Sequence, residues 1–220
     1  MSTASNMYFA SVAGQWDEIR AGYFTEHMRD AAIAKANLPV NAIVADIGTG
    51  TGFVIAGLAP YASKIYGFDA SAEMLVVARE NLSPFQNIEL KQAPGDELPL
   101  ADESLDGVFA NMYLHHASDP LKAIKEMARL LKPGGVLCIT DLDQHNHEWQ
   151  REQMADLWLG FDRDLVRQWF DKASLTQIDI DCAEGICNAC GPDGKVEPLT
   201  VFVAIGRKNL QVDLKGGKLP

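Results

Sequence analysis

Apolar and polar positions along the 220 residues follow two rhythms. Short apolar runs at 43–45, 64–68, 88–91, 105–110, 136–140, 176–181 and 200–206 have the length of buried strands. Between them the period lengthens to that of a helix, at 53–59, 71–82 and 119–131. In the last of these Leu121, Ile124, Met127, Ala128 and Leu131 share one face. Residues 7–37 read as one or two helices through Trp16, Ile19, Tyr23, Phe24, Met28 and Ala31, and 148–173 as two helices broken near Gly160. Pro39, Pro84 and Lys132-Pro-Gly-Gly135 punctuate the series. Strands alternating with helices predict an α/β domain built on a largely parallel sheet.

Length and composition narrow this further. The chain is long enough for one such domain, with an ordinary apolar content of 47%. A net charge of −11 argues against nucleic acid or an anionic membrane as a general partner. No apolar run reaches the ~18 residues of a membrane span. The first residues lack the basic and apolar parts of a signal peptide, so a cytoplasmic protein is expected. The four cysteines, Cys138, Cys182, Cys187 and Cys190, are then expected to be thiols.

Residues 42–52, Ala-Ile-Val-Ala-Asp-Ile-Gly-Thr-Gly-Thr-Gly, concentrate the chemistry. A strand closes on Asp46, and Gly48, Gly50 and Gly52 turn the chain into a helix. Such a crevice takes nucleotide-like ligands. The spacing G-x-G-x-G departs from the dinucleotide fingerprint G-x-G-x-x-G, with Phe53 in the place of its third glycine. A carboxylate two residues before the first glycine repels a pyrophosphate but attracts a cation. The amino group and sulfonium of S-adenosylmethionine are both positive. Asp69, at the end of the second strand, suits two ribose hydroxyls, since a carboxylate offers two acceptor oxygens; a helix-capping role is the alternative.

Asp46-Ile-Gly-Thr-Gly-Thr-Gly52, Leu114-His-His and Ala128-Arg-Leu-Leu-Lys-Pro-Gly-Gly135 together resemble the class I S-adenosylmethionine-dependent methyltransferases, over about residues 10–206. The nearer resemblance is to the quinone-biosynthesis type, and from 140 to Phe161 to domains fused to arsenic-responsive repressors. It implies a Rossmann-like, doubly wound sheet of seven strands ending in an antiparallel hairpin. The chain is read as one domain over 1–206, with residues 7–37 as a helical lid or a helix packed on the core, and the polar, glycine-rich 207–220 as a flexible tail. The cofactor set so read is Asp46, Gly48, Thr49, Gly50, Gly52, Asp69, Ala70, Met74, Gly95, Asp96 and Asn111. Pro94 stands where the family has the acid that faces the adenine amino group; Gly95 and Asp96 are the substitutes.

The acceptor side is drawn from residues after the fourth and fifth strands: Tyr113, Asp141 and His145 are the expected catalytic groups. Asp141, Asp143, His145 and His147 fit a general base cluster, a metal cluster or a polar loop. His115 and His116, being adjacent, diverge in direction, and the resemblance makes them structural. Cys182, Cys187 and Cys190 fall in a hairpin loop, as incidental thiols, a metalloid site, a zinc site or a redox pair. No metal is assigned. The expected function is methyl transfer from S-adenosylmethionine to a small-molecule acceptor. The alternatives are an arsenite or thiol methyltransferase using the hairpin cysteines and a binding module without turnover. A homodimer is left open.

Overall fold

The computed structural model describes residues 3–22, 24–190 and 196–210, with side chains at 5–22, 24–183 and 199–210. Its strands are β1 (Ile43–Ile47), β2 (Lys64–Asp69), β3 (Ile88–Gln92), β4 (Leu105–Asn111), β5 (Leu131–Leu142), β6 (Leu175–Cys190) and β7 (Val196–Lys208). They form one sheet in the order β3-β2-β1-β4-β5-β7-β6. The first five are mutually parallel, and β7 runs antiparallel between β5 and β6. This is the expected α/β architecture. The chain reverses its direction of travel across the sheet between β1 and β4, which opens a crevice at their carboxyl ends.

Successive residues of each central strand feed opposite layers, because side chains alternate across a sheet. Ala45, Val108, Leu137 and Phe202 belong to one apolar cluster, whereas Val44, Phe109, Cys138 and Val203 belong to the other. The first cluster takes Ile124 and Met127 from α6 (Pro120–Leu130) and Val166 and Phe170 from α8 (Arg163–Lys172). The second takes Ala32 from α3 (Glu26–Ala36), Ile55 from α4 (Phe53–Leu58) and Ala78 from α5 (Ala72–Asn81). Helix starts carry side-chain caps. Ser71 accepts from the N–H of Met74, and Asp119, just before Pro120, accepts from that of Lys122.

Three boundaries differ from the sequence reading. The N-terminal region begins at residue 3 as α1 (Thr3–Val12), passes through a 3₁₀ turn (Ala13–Gln15) into α2 (Trp16–Ala21), and then reaches α3. β5 continues to Leu142, because Asp141 and Leu142 pair with Phe202 and Val201 of β7; Asp141 is therefore a strand residue. The terminal hairpin is longer, so Cys187 and Cys190 lie on β6, opposite Leu199 and Val196, instead of in a loop. Their side chains lie outside the described residues, as do Tyr23 and residues 211–220. Arg207 and Lys208, assigned to the tail, close β7.

Candidate cofactor and acceptor site

The carboxyl ends of β1, β2, β4 and β5 surround a pocket of about 910 Å³, counted to its open mouth. Its floor is the glycine loop. Gly48 and Gly50 have φ of 71° and 52°, a region that side chains disfavour. The Gly48 and Thr49 N–H groups both donate to the Phe68 carbonyl, at 2.8 and 2.9 Å, binding the loop to the end of β2.

Two carboxylates shape this floor. Asp46 is 1% exposed. Its Oδ2 accepts from the Thr49 hydroxyl at 2.7 Å, while Oδ1 is buried without a partner. Burial pushes its pKa up to about 7, with the neighbouring charge of Asp69 adding to the rise and the Thr49 hydrogen bond opposing it. Asp69 accepts from the Gly50 N–H at 2.8 Å and the Ser71 N–H at 2.9 Å, one on each oxygen. Burial raises its pKa too. An unsatisfied buried acceptor is costly, so Asp46 Oδ1 calls for a donor, best a positive one. Each Asp69 oxygen keeps acceptor capacity for a hydroxyl. The floor therefore fits a ligand carrying both a cation and a diol.

The N-terminal helices roof the pocket with Phe9, Trp16 and Arg20, and the link from α2 to α3 adds Phe24. Asp17 pins α2 to the floor, accepting from the Thr51 hydroxyl at 2.7 Å and from Asn81 Nδ2 at 3.0 Å. The Arg20 guanidinium stacks 3.7 Å over the Phe53 ring. α1 docks on the segment after α7 (Trp149–Gln153): Ser5 donates to the Ala155 carbonyl at 3.2 Å and Tyr8 to Met154 Sδ at 3.3 Å.

The far wall is formed by His115, His116, Gln150, Met154 and Asp156. A 3₁₀ turn (Leu114–His116) folds both imidazoles inward with ring centroids 4.0 Å apart. Asp141 sits behind them, fully buried; its Oδ2 accepts from the Leu114 N–H at 2.8 Å, and Oδ1 lies 2.7 Å from His115 Nδ1. Burial opposes a charged His115 ring, but Asp141 and Asp156 outweigh it and lift the pKa to about 9. Burial and the neighbouring His115 hold His116 well below the usual range.

Of the residues assigned from sequence, the pocket brings together Asp46, Gly48, Thr49, Gly50, Asp69, Met74, Asn111 and Tyr113. Gly52, Ala70, Gly95, Asp96, Asp141 and His145 do not line it. A Cβ on Gly52 would fall 2.6 Å from Leu82 Cδ1, so this glycine serves close packing of loop and helix. Gly95 packs likewise on the Tyr113 hydroxyl. The Ala70 carbonyl accepts from Gln92 Nε2 at 2.8 Å, and Asp96 pairs with Lys122 Nζ at 2.8 Å. His145 Nδ1 accepts from the His147 N–H, and burial lowers its pKa to about 4. Asp143 forms a two-pronged ion pair with Arg163 at 2.7 Å, and Cys182 is exposed on β6 beside that arginine. Asp156 and Gln150 were missed. They follow an irregular polar stretch, and their approach to His115 depends on the Leu157 and Trp158 N–H groups donating to the His115 carbonyl, a long-range contact with no local pattern.

Comparison with known proteins bears on this geometry. A methyltransferase domain family matches residues 45–139, from β1 to β5. The 2-methyl-6-phytyl-1,4-hydroquinone methyltransferase 1 of Oryza sativa subsp. japonica is 29% identical over 74% of this chain and 50% of its own length. The demethylmenaquinone methyltransferase of Bacillus licheniformis is 35% identical over 53% of each. Residues 45–139 are thus similar to a methyltransferase domain, and the curated relatives that match are methyltransferases. The chain spans about half the length of the curated relatives it matches. The methyltransferase fold recurs in the YcgJ protein of Bacillus subtilis, with a TM-score of 0.70 at 20% identity over 83% of this chain and 98% of that one. Among the described residues, no helix is long and apolar enough to cross a membrane.

Proposed function

We propose that the protein transfers a methyl group from S-adenosylmethionine to a small, largely apolar acceptor. The observation that carries this is the pairing of a buried, unsatisfied Asp46 oxygen with Asp69 at adjacent strand ends. Asp46 would hold the positive methionyl end, Asp69 the ribose, and Met74 a face of the adenine. The bound cofactor supplies a methyl group already activated by positive sulfur. The chain's task is then to align the acceptor and exclude water, which the apolar roof of Phe9, Trp16 and Phe24 does.

A ring-hydroxyl acceptor is the reading we favour within this class. The hydroquinone for which one relative is named carries ring hydroxyls and accords with it, as does the apolar lining. The alternative that uses the hairpin cysteines has less support, since Cys182 is exposed and absent from the pocket wall. Cytoplasmic action on a small molecule, without nucleic acid, accords with the net charge of −11. Calorimetric titration with S-adenosylmethionine tests the reading: binding in the micromolar range is expected, and no binding would defeat it.

A further inference from the structure

The pocket wall formed by His115, His116, Gln150 and Asp156 holds polar groups that a cofactor on Asp46 and Asp69 does not use. Asp156 is 5% exposed. Among the described residues its carboxylate makes no hydrogen bond; His115 Nε2 and His116 Nδ1 each stand 3.8 Å from Oδ1. Gln150 is 2% exposed, and its side-chain oxygen is buried without a partner. The neighbouring Phe9 and Met154 side chains offer no donor. The Gln150 oxygen left wanting is expensive, and Asp156, paired with the histidines but without a hydrogen bond, keeps acceptor capacity beside it; a ligand that brings a donor would satisfy both. Phe9 and Met154 beside them give such a ligand an apolar contact face.

We propose that Asp156 is the proton acceptor of methyl transfer, and that the acceptor presents a ring hydroxyl to Asp156 and Gln150. This rests on the methyltransferase reading. His115, clamped through Nδ1 by Asp141, acts as a positioning residue whose Nε2 faces the Asp156 carboxylate. In the step, the acceptor O–H bond breaks and its proton passes to Asp156. The electron pair left on the acceptor forms the new bond to the methyl carbon. The carbon–sulfur bond breaks, with its pair remaining on sulfur. Burial, aided by Asp141, lifts the Asp156 carboxyl to about 6 against the pull of His115 and Arg151, which suits a base working near neutrality. The groups facing it are His115, His116, Asp141 and Arg151.

The test uses methylhydroquinone as probe with the full chain. Calorimetry first measures S-adenosylmethionine binding, then methylhydroquinone binding to the S-adenosylhomocysteine complex. Absence of cofactor binding defeats both readings; cofactor binding without methylation of the probe overturns this one alone. Asp156→Asn is expected to lower kcat about 100-fold or more, leaving both dissociation constants within about threefold. Asp156→Glu should recover part of the loss. The wild-type rate should fall on the acid side with an apparent pKa near that of Asp156, and His115→Gln, by removing a neighbouring cation, should move this limb to higher pH. Asp156→Asn turning over within about threefold of wild type overturns the assignment. So does an acid limb that His115→Gln leaves in place, a readout that survives if Asp156→Asn fails to fold.

Discussion

The ring of Tyr113 lies so close over Gly48 that a Cβ built on the glycine would fall 2.5 Å from Tyr113 Cδ2. The same position has φ of 71°. Gly48→Ala therefore meets both a steric and a conformational penalty, together about 1–3 kcal/mol. The variant should melt several degrees lower and bind S-adenosylmethionine at least about tenfold more weakly. Calorimetry and a thermal melt check both.

Tyr113 itself is 4% exposed, and burial raises its phenol pKa further above the usual value, with Asp96 and Asp69 adding to the rise. It remains protonated at working pH and cannot serve as a base. Tyr113→Phe should keep kcat within about threefold, and His145→Ala, outside the pocket, should do the same. A loss of 100-fold in either would restore the catalytic role expected from sequence.

Asp46 should make cofactor binding depend on pH. A cation binds the ionised carboxylate, and this one is neutralised as pH falls through about 7. Affinity should thus rise from pH 6 to pH 8 and level off above. Asp46→Asn should flatten the dependence and weaken binding about 30-fold, the equivalent of a lost charged hydrogen bond of about 2 kcal/mol. Isothermal titrations at four pH values decide the matter.

His115 makes the opposite demand on the unliganded fold. Its native pKa of about 9 lies above the ordinary histidine value of 6.5, so the folded state holds the proton more tightly. The stabilisation is fully present below pH 6.5 and is lost as pH rises through 9. Denaturant midpoints should decline over that window, and His115→Gln should remove the decline even if it lowers the midpoint overall.

The roof should respond to Asp17. Asp17→Ala removes the bonds to Thr51 and Asn81 that pin α2 to the glycine loop. Each such bond is worth about 1 kcal/mol. Cofactor dissociation should quicken several-fold in stopped-flow measurements, and trypsin should cut after Arg20 sooner.

The floor of the pocket was legible in the sequence because it is local. Asp46, Gly48, Thr49 and Gly50 are neighbours in the chain, and Asp69 follows one strand–helix–strand unit later. The far wall was not legible. Asp141 was expected in an open loop, but strand pairing with β7, distant in sequence, extends β5 and draws its carboxylate beneath His115. Adjacent histidines diverge in an extended strand, whereas the 3₁₀ turn at Leu114–His116 turns both to one side. Asp156 makes no side-chain hydrogen bond within its own segment, and its significance arises from the approach of His115 and His116, distant in sequence.

The hydrogen bonds that dock α1 join Ser5 to Ala155 and Tyr8 to Met154, separations of 150 and 146 residues. On a ribosome, the N-terminal helices emerge before the wall they rest on has been made. The glycine floor and its β2 brace can form well before that wall exists. The binding chamber is thus born open, and helices made before the wall find their place only after it.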